Sequence, residues 1–378
     1  MNVSSIRPAR RMFRMKFAFL ALSLSLNAHA QAPASGVQAN GAGKSSTKSW
    51  LAPAKSYHED WGVISLNGNT LIPETPVFGA RDDAPESTFI RERLQMQWRP
   101  DDPLDLFVVR PKGVTKPPVI IYLYSFPQDT ERFNNNAWCT SVTSGGYAAI
   151  GFVSALTGHR MEHRAVKHWF VSELQESLGA STHDVQMILN YLETRGDLDM
   201  DHVGMFGQGS GGSIAILASA ADSRIKSLDL LTPWGDWPNW LATSKLIPEE
   251  ERSNYLTTEF LARAEALEPI QWLPKIKAQS LRLQNVRQDS QMPDASELKM
   301  ERAAPTMAEI DQYGDPGALY PRVNRMLEWI KGQVKADSAT TASSTKSDRV
   351  HFYPGRGKAT PPIPLPTASG TAPTQTQP

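Results

Sequence analysis

Val203-Gly204-Met205-Phe206-Gly207-Gln208-Gly209-Ser210-Gly211-Gly212 is an apolar run closing on a cluster of glycines, and Ser213-Ile214-Ala215-Ile216-Leu217 follows it with the composition of a helix start. A strand that enters a glycine-rich turn and leaves as a helix has the layout of a nucleophile elbow, G-x-S-x-G. The apex residue of such a turn takes a positive φ. Its neighbours two before and two after must be small, because strand and helix pass close together. With Gly209 at the apex those neighbours are Gly207 and Gly211, which suit the crossing. With Ser210 at the apex they are Gln208 and Gly212, and Gln208 brings a long side chain into a crowded place. Sterics therefore favour Gly209, and the usual nucleophile is then missing. Gly207, Gly209 and Gly212 also fit a G-x-G-x-x-G phosphate loop. That motif belongs after a first strand with an acidic residue about 20 positions on. Neither condition holds, so no cofactor is expected.

Around this turn the chain of 378 residues divides by composition. Met1 to Ala30 reads as a secretory signal. Arg7, Arg10, Arg11, Arg14 and Lys16 precede the short apolar run 17–26, and Ala28-His29-Ala30 is a cleavage-type site. Residues 31–49 read as a disordered linker, 50–335 as the folded domain with a cap at about 234–275, and 336–378 as a disordered tail rich in Pro, Thr and Ser. The expected location is secreted or periplasmic. Formal net charge is +0 for the whole chain and about −5 once 1–30 is removed, which argues against nucleic acid as a partner. The apolar run is too short to span a membrane, so no membrane span is expected in the mature chain. The single cysteine, Cys139, excludes an intrachain disulfide and is expected to be buried and inert.

Within 50–335, Thr88–Arg99 and Leu104–Arg110 read as an antiparallel hairpin around the turn 100–103. Val119–Tyr124, Ala148–Val153, His202–Phe206, Ile225–Leu231 and Gln279–Leu283 are strand-like, the apolar runs among them being typical of buried parallel strands. Glu173–Arg195 and Val323–Val334 read as helices. Strands alternating with helices after a hairpin give an α/β class, with a mainly parallel sheet and an antiparallel N-terminal edge.

The stretch Thr182–Gly212, with Asp184-Val185, Tyr191-Leu192, Asp201-His202-Val203-Gly204 and the elbow, resembles α/β-hydrolases of the dienelactone hydrolase, acetyl-xylan esterase and prolyl-oligopeptidase-like branch. The resemblance runs over roughly 91–335. It implies an α/β-hydrolase fold with helices on both faces of the sheet and a small helical cap. It puts the nucleophile position on Gly209, with Ser210 the nearest hydroxyl. The acid falls on Asp289, with Asp236 as the alternative. Backbone oxyanion donors fall near Ser125, Phe126 and Ser210. The histidine position falls in 307–317, which contains no histidine. Two of the three catalytic functions thus lack their residue type, which points to a protein that binds rather than turns over, with a small-molecule or polymer-derived ligand as the expected partner.

Three alternatives remain open. Ser210 could act with Asp289 or Asp236 and a relocated base from His159, His163 or His168. His159-Arg160-Met161-Glu162-His163 matches H-x-x-E-H, which could hold a metal, although Arg160 and Arg164 crowd it with positive charge; none is expected. His159, Arg160, His163 or Arg164 could instead hold an anionic group. Trp234, Trp237 and Trp240 could stack on a ligand at a pocket or pack the cap.

Overall fold

The computed structural model describes residues 59–66, 71–73, 77–100, 102–127, 130–156, 160, 170–289, 291–319, 321–322, 326–335 and 349–355. The expected signal and linker lie outside them, as do His159, His163, Arg164 and His168. Ten strands form one sheet: β1 (Val77–Asp82), β2 (Phe89–Met96), β3 (Leu104–Pro111), β4 (Pro118–Leu123), β5 (Ala148–Phe152), β6 (Asp199–Gln208), β7 (Ile225–Leu231), β8 (Ser280–Val286), β9 (Glu309–Tyr313) and β10 (Val350–Tyr353). Their spatial order is β1-β2-β3-β5-β4-β6-β7-β8-β9-β10. β1, β2, β3 and β5 pair antiparallel, and every pair from β5–β4 to β9–β10 is parallel. The antiparallel N-terminal edge and the parallel remainder follow the sequence expectation.

Among the described residues the helices of six residues or more are α1 (Asn136–Thr143), α2 (Leu174–Arg195), α3 (Ser210–Ala221), α4 (Trp237–Thr243), α5 (Thr258–Glu265), α6 (Asp294–Ala303) and α7 (Glu328–Gln333). The strand period of two sorts β4 between two cores. Val119, Ile121 and Leu123 pack with α2 and α3. Ile120 and Tyr122 pack with Cys139 and Val142 of α1 and Ile330 of α7. Each such fully buried aliphatic side chain contributes about 1.5–3 kcal/mol. No helix among the described residues is long and apolar enough to cross a membrane.

Two expectations are corrected. Val350–Tyr353 lies in the stretch 336–378 read as tail, yet it forms β10 beside β9. Val-His-Phe-Tyr is β-prone in itself, and β9 offers it a free edge. Of the terminal helix expected over Val323–Val334, Glu328–Gln333 is helical and Met326-Leu327 is a turn, while 323–325 lie outside the described residues.

α2 carries one device that composition hides. Gly179 on it faces the backbone of Trp61, and a Cβ there would overlap the Trp61 carbonyl oxygen and lie 2.9 Å from its Cα. The 59–66 segment is thereby laid directly on α2. It is held by the Leu66 N–H to Gln186 Oε1 (3.0 Å) and by Gln186 Nε2 to the Ile64 carbonyl (2.9 Å). Gly179→Ala is expected to lift this segment. Limited proteolysis should then cut within 59–72 several times faster than in the native chain, and equal rates would refute the close approach.

Candidate functional site

The elbow is built where β6 runs into α3. Gly209 has φ 54° and ψ −118°, the strained conformation an elbow apex requires and one that glycine adopts at least cost. Its N–H donates to the Leu231 carbonyl (3.0 Å), and its own carbonyl accepts from the Ser213 and Trp234 N–H groups (both 3.1 Å). The flanking glycines serve the crossing. A Cβ on Gly207 would lie 2.6 Å from the Gly211 carbonyl oxygen, and one on Gly211 would lie 2.7 Å from the Leu123 carbonyl carbon. On Gly212 it would lie 2.7 Å from Pro233 Cβ.

Ser210 is the first residue of α3 and 3% exposed. Its hydroxyl oxygen accepts the Phe126 backbone N–H at 2.8 Å. The resemblance offered that N–H as a free oxyanion donor; the structure has it already taken by the chain's own side chain. Ser125 stands on the other side of the apex. A Cβ on Gly209 would overlap the Ser125 hydroxyl, lie 2.8 Å from its Cβ, and come 3.1 Å from Trp234 Nε1. The volume of an apex side chain is thus already filled, and it is filled by a hydroxyl. Ser125 Oγ in turn lies 3.4 Å from Gln291 Oε1.

Gln291 was not legible from the sequence. Asp289 Oδ1 accepts its N–H (2.6 Å), while its carbonyl accepts from Trp240 Nε1 (2.8 Å) and Ser244 Oγ (2.9 Å). A short carboxylate two residues upstream, able to close an Asx-type turn, was the only signal. Burial raises the Asp289 carboxyl above its ordinary range, against the lowering effect of the Gln291 and Met292 N–H groups. Asp236, the alternative acid, sits at φ 61° and is 8% exposed. Its carboxylate accepts from Ser296 Oγ (3.0 Å) and Lys299 Nζ (2.8 Å), so it is engaged with α6.

Three histidines are described, and each is placed elsewhere. His183 Nδ1 meets Glu59 Oε1 (2.7 Å) and its Nε2 meets the Val63 carbonyl (2.6 Å). His202 pairs with Asp199 (2.7 Å), and His351 stands opposite Asp311 in the β9–β10 register. Among the described residues no group of three or more His, Cys, Asp and Glu could hold a metal ion.

Arg160 departs from the anion-binding reading. Its side chain is fully buried, with Nε and Nη2 on Asp102 (2.9 and 2.7 Å) and Nη1 on Asp184 Oδ2 (2.7 Å) and the Val153 carbonyl (2.9 Å). Each of its three nitrogens is engaged inside the protein and the side chain is fully buried, which turns its charge away from a ligand.

The tryptophans depart from the stacking reading in the same way. Trp234, Trp237 and Trp240 are 1%, 1% and 0% exposed. Trp240 packs against Trp234 at 5.0 Å and edge-on to Trp237 at 5.7 Å. Trp237 Nε1 donates to the Leu267 carbonyl (3.2 Å), and neither Trp237 nor Trp240 presents an open face. Cys139 is fully buried, and burial pushes its thiol up to about 11, as an inert structural cysteine requires. An open cleft of about 710 Å³ lies at the far end of α3 from the elbow, between Gln186, Asn190, Arg224 and Lys277. Arg224 there is bound to Asp222 and Glu193.

No protein-family model and no curated protein matches the sequence. Solved structures do match in shape. An acetyl xylan esterase from Paenibacillus sp. R4 aligns with TM-score 0.56 and 17% identity over 68% of this chain and 88% of its own. Acetyl xylan esterase 1 from Thermoanaerobacterium aligns at 0.54 and 14%, over 67% and 88%. The acylaminoacyl peptidase of Pyrococcus horikoshii aligns at 0.52 and 16%, over 67% of this chain but only 43% of that one. The fold is that of the α/β-hydrolases. Gly209 follows β6, Asp289 follows β8 and Gly314-Asp315-Pro316 follows β9, the places where the resemblance puts the nucleophile, the acid and the histidine.

The loop after β8, with α6, carries a pH signature. Glu297 on α6 is 1% exposed, and burial pushes it up to about 8 although the Arg287 guanidinium, 2.9 Å away, pulls it down. Between its ordinary value of 4.5 and about 8 the native chain keeps a proton that the unfolded chain releases. Stability therefore falls as pH rises through that window. Burial raises Asp229, Glu268, Asp289 and Asp311 as well, with the same sign. Thermal midpoints should decline from pH 5 to pH 8.5, and Glu297→Gln should flatten the decline. A midpoint that rises across this range would contradict the assignment.

Proposed function

We propose that this protein uses the α/β-hydrolase fold without Ser-His-Asp catalysis, as a binding or accessory protein for a small-molecule or polymer-derived ligand. One observation carries the reading: the apex is Gly209 in the nucleophile's backbone conformation, and the next hydroxyl, Ser210, accepts the Phe126 N–H. A serine nucleophile must be free to lose its proton to an adjacent base. Ser210 has no described histidine among its partners. A negative mature charge and a signal-like N-terminus support work outside the cytoplasm, on something other than nucleic acid.

The test is direct. Purified protein treated with a fluorophosphonate probe should remain unlabelled, and short acyl esters should turn over no faster than in buffer. The competing reading is a serine hydrolase acting through Ser210 with Asp289 or Asp236 and one of His159, His163 or His168. It requires labelling that disappears in Ser210→Ala. Stoichiometric zinc that is lost with His159→Ala would instead favour the metal reading through His159 and His163.

A further inference from the structure

We infer that the Ser210 hydroxyl is a built-in occupant of the oxyanion position, and that this one group keeps acyl oxygens and carboxylates out of the elbow. The inference rests on the non-catalytic reading above and specifies what the site refuses.

The geometry is local. With Gly209 at the apex, an acyl oxygen docked in the elbow would need the Phe126 N–H as a donor. That N–H points instead at Ser210 Oγ, 2.8 Å away. Ser210 is 3% exposed and Phe126 half-buried, so the hydroxyl lies inside while the N–H stands at the edge of the interior. A ligand oxygen could take the N–H only by turning the hydroxyl away and leaving it without that donor in a buried place. A buried polar group stripped of its partner incurs its full desolvation penalty, while the incoming oxygen gains only a net hydrogen bond. The exchange therefore disfavours entry. Ser125 reinforces the block from the other side, because its hydroxyl fills the volume an apex side chain would use. The two serines close the place where acyl chemistry would occur from two loops: Ser125 from the end of β4, Ser210 from the start of α3.

Removing the hydroxyl should reverse this. In Ser210→Ala the half-buried Phe126 N–H loses the hydroxyl as its acceptor, and a small carboxylate can supply one. Sodium acetate is the probe, with sodium chloride at equal ionic strength as the control, on the full chain. The native protein should show the same thermal midpoint in both salts. Ser210→Ala should melt lower in chloride, recover part of the loss in acetate, and bind acetate at least about tenfold more tightly than the native chain, the worth of one hydrogen bond to a charged group. Equal acetate affinity in the two proteins, or no gain in Ser210→Ala, overturns the inference. If Ser210→Ala does not fold, Ser210→Gly is read in the same way. Acetate binding to the native chain, seen as a shift of the Phe126 amide resonance, overturns the inference without any variant. Fluorophosphonate labelling of the native chain would remove the non-catalytic reading beneath it. Acetate bound to an unlabelled native chain would remove only the inference.

Discussion

Asp184→Asn is expected to cost about 3–5 kcal/mol of folding stability, the range for breaking a buried ion pair from one side. Asp184 is 0% exposed on α2. One carboxylate oxygen accepts from Arg99 Nη1 (2.7 Å) and Trp98 Nε1 (2.9 Å), the other from Arg160 Nη1 (2.7 Å). Arg99 also grips Glu59 (2.5 and 2.7 Å) and the Ala180 carbonyl (2.9 Å), while Arg160 grips Asp102. Burial opposes the charge on both guanidiniums, and Asp184 together with Glu59 or Asp102 more than offsets it, so both are held above their ordinary value. Neutralising Asp184 leaves two buried cations facing each other with one compensating charge fewer. Urea denaturation at pH 7 reads the loss, and a change under about 1 kcal/mol would mean that water reaches the cluster. Replacing the network by apolar residues of matched volume is a different experiment and should cost far less.

Gly209→Ser is the second large effect, and it should not restore an enzyme. The apex conformation costs a residue with a side chain about 1–3 kcal/mol. Active hydrolases bear that strain, but here a Cβ also meets Ser125, whose own Cβ would stand 2.8 Å away. Overpacking of this kind adds about 1–3 kcal/mol. The variant should therefore lose about 2–6 kcal/mol in the same urea assay. Adding Ser125→Gly should recover the overpacking part and leave the strain. A double variant no more stable than the single would show that Ser125 is not the obstacle. The expected outcome for ester turnover is that neither variant exceeds buffer, since no described histidine reaches the apex.

How legible this was depends on the range over which each feature is set. The apolar runs of β4 to β7 are found where the sequence puts them, within about three residues at either end, because an apolar run between turn residues is a local signal. The register of the elbow was legible too, since the spacing of Gly207, Gly209 and Gly211 is a steric statement about one crossing. β10 was hidden because four β-prone residues in a polar stretch become a strand only when β9 offers an edge. The tryptophans 234, 237 and 240 look the same in sequence whether they stack on a ligand or on each other. Only burial distinguishes the two.

The sequence by itself determined the α/β class, from the periods of its strands and helices, and a glycine at the apex, from glycine spacing along one contiguous stretch; the α/β-hydrolase layout was what the resemblance implied. Tertiary structure alone decided what fills the place of the missing side chain. Ser125, Ser210 and Gln291 come from three loops that meet only once the parallel strands align their C-terminal ends. It also decided the fate of Arg160, which in sequence sits inside a metal-like motif. Its charge is consumed by Asp102 and Asp184, 58 and 24 residues away. Burial in a low dielectric makes such partners obligatory, and no local pattern encodes which partners they will be.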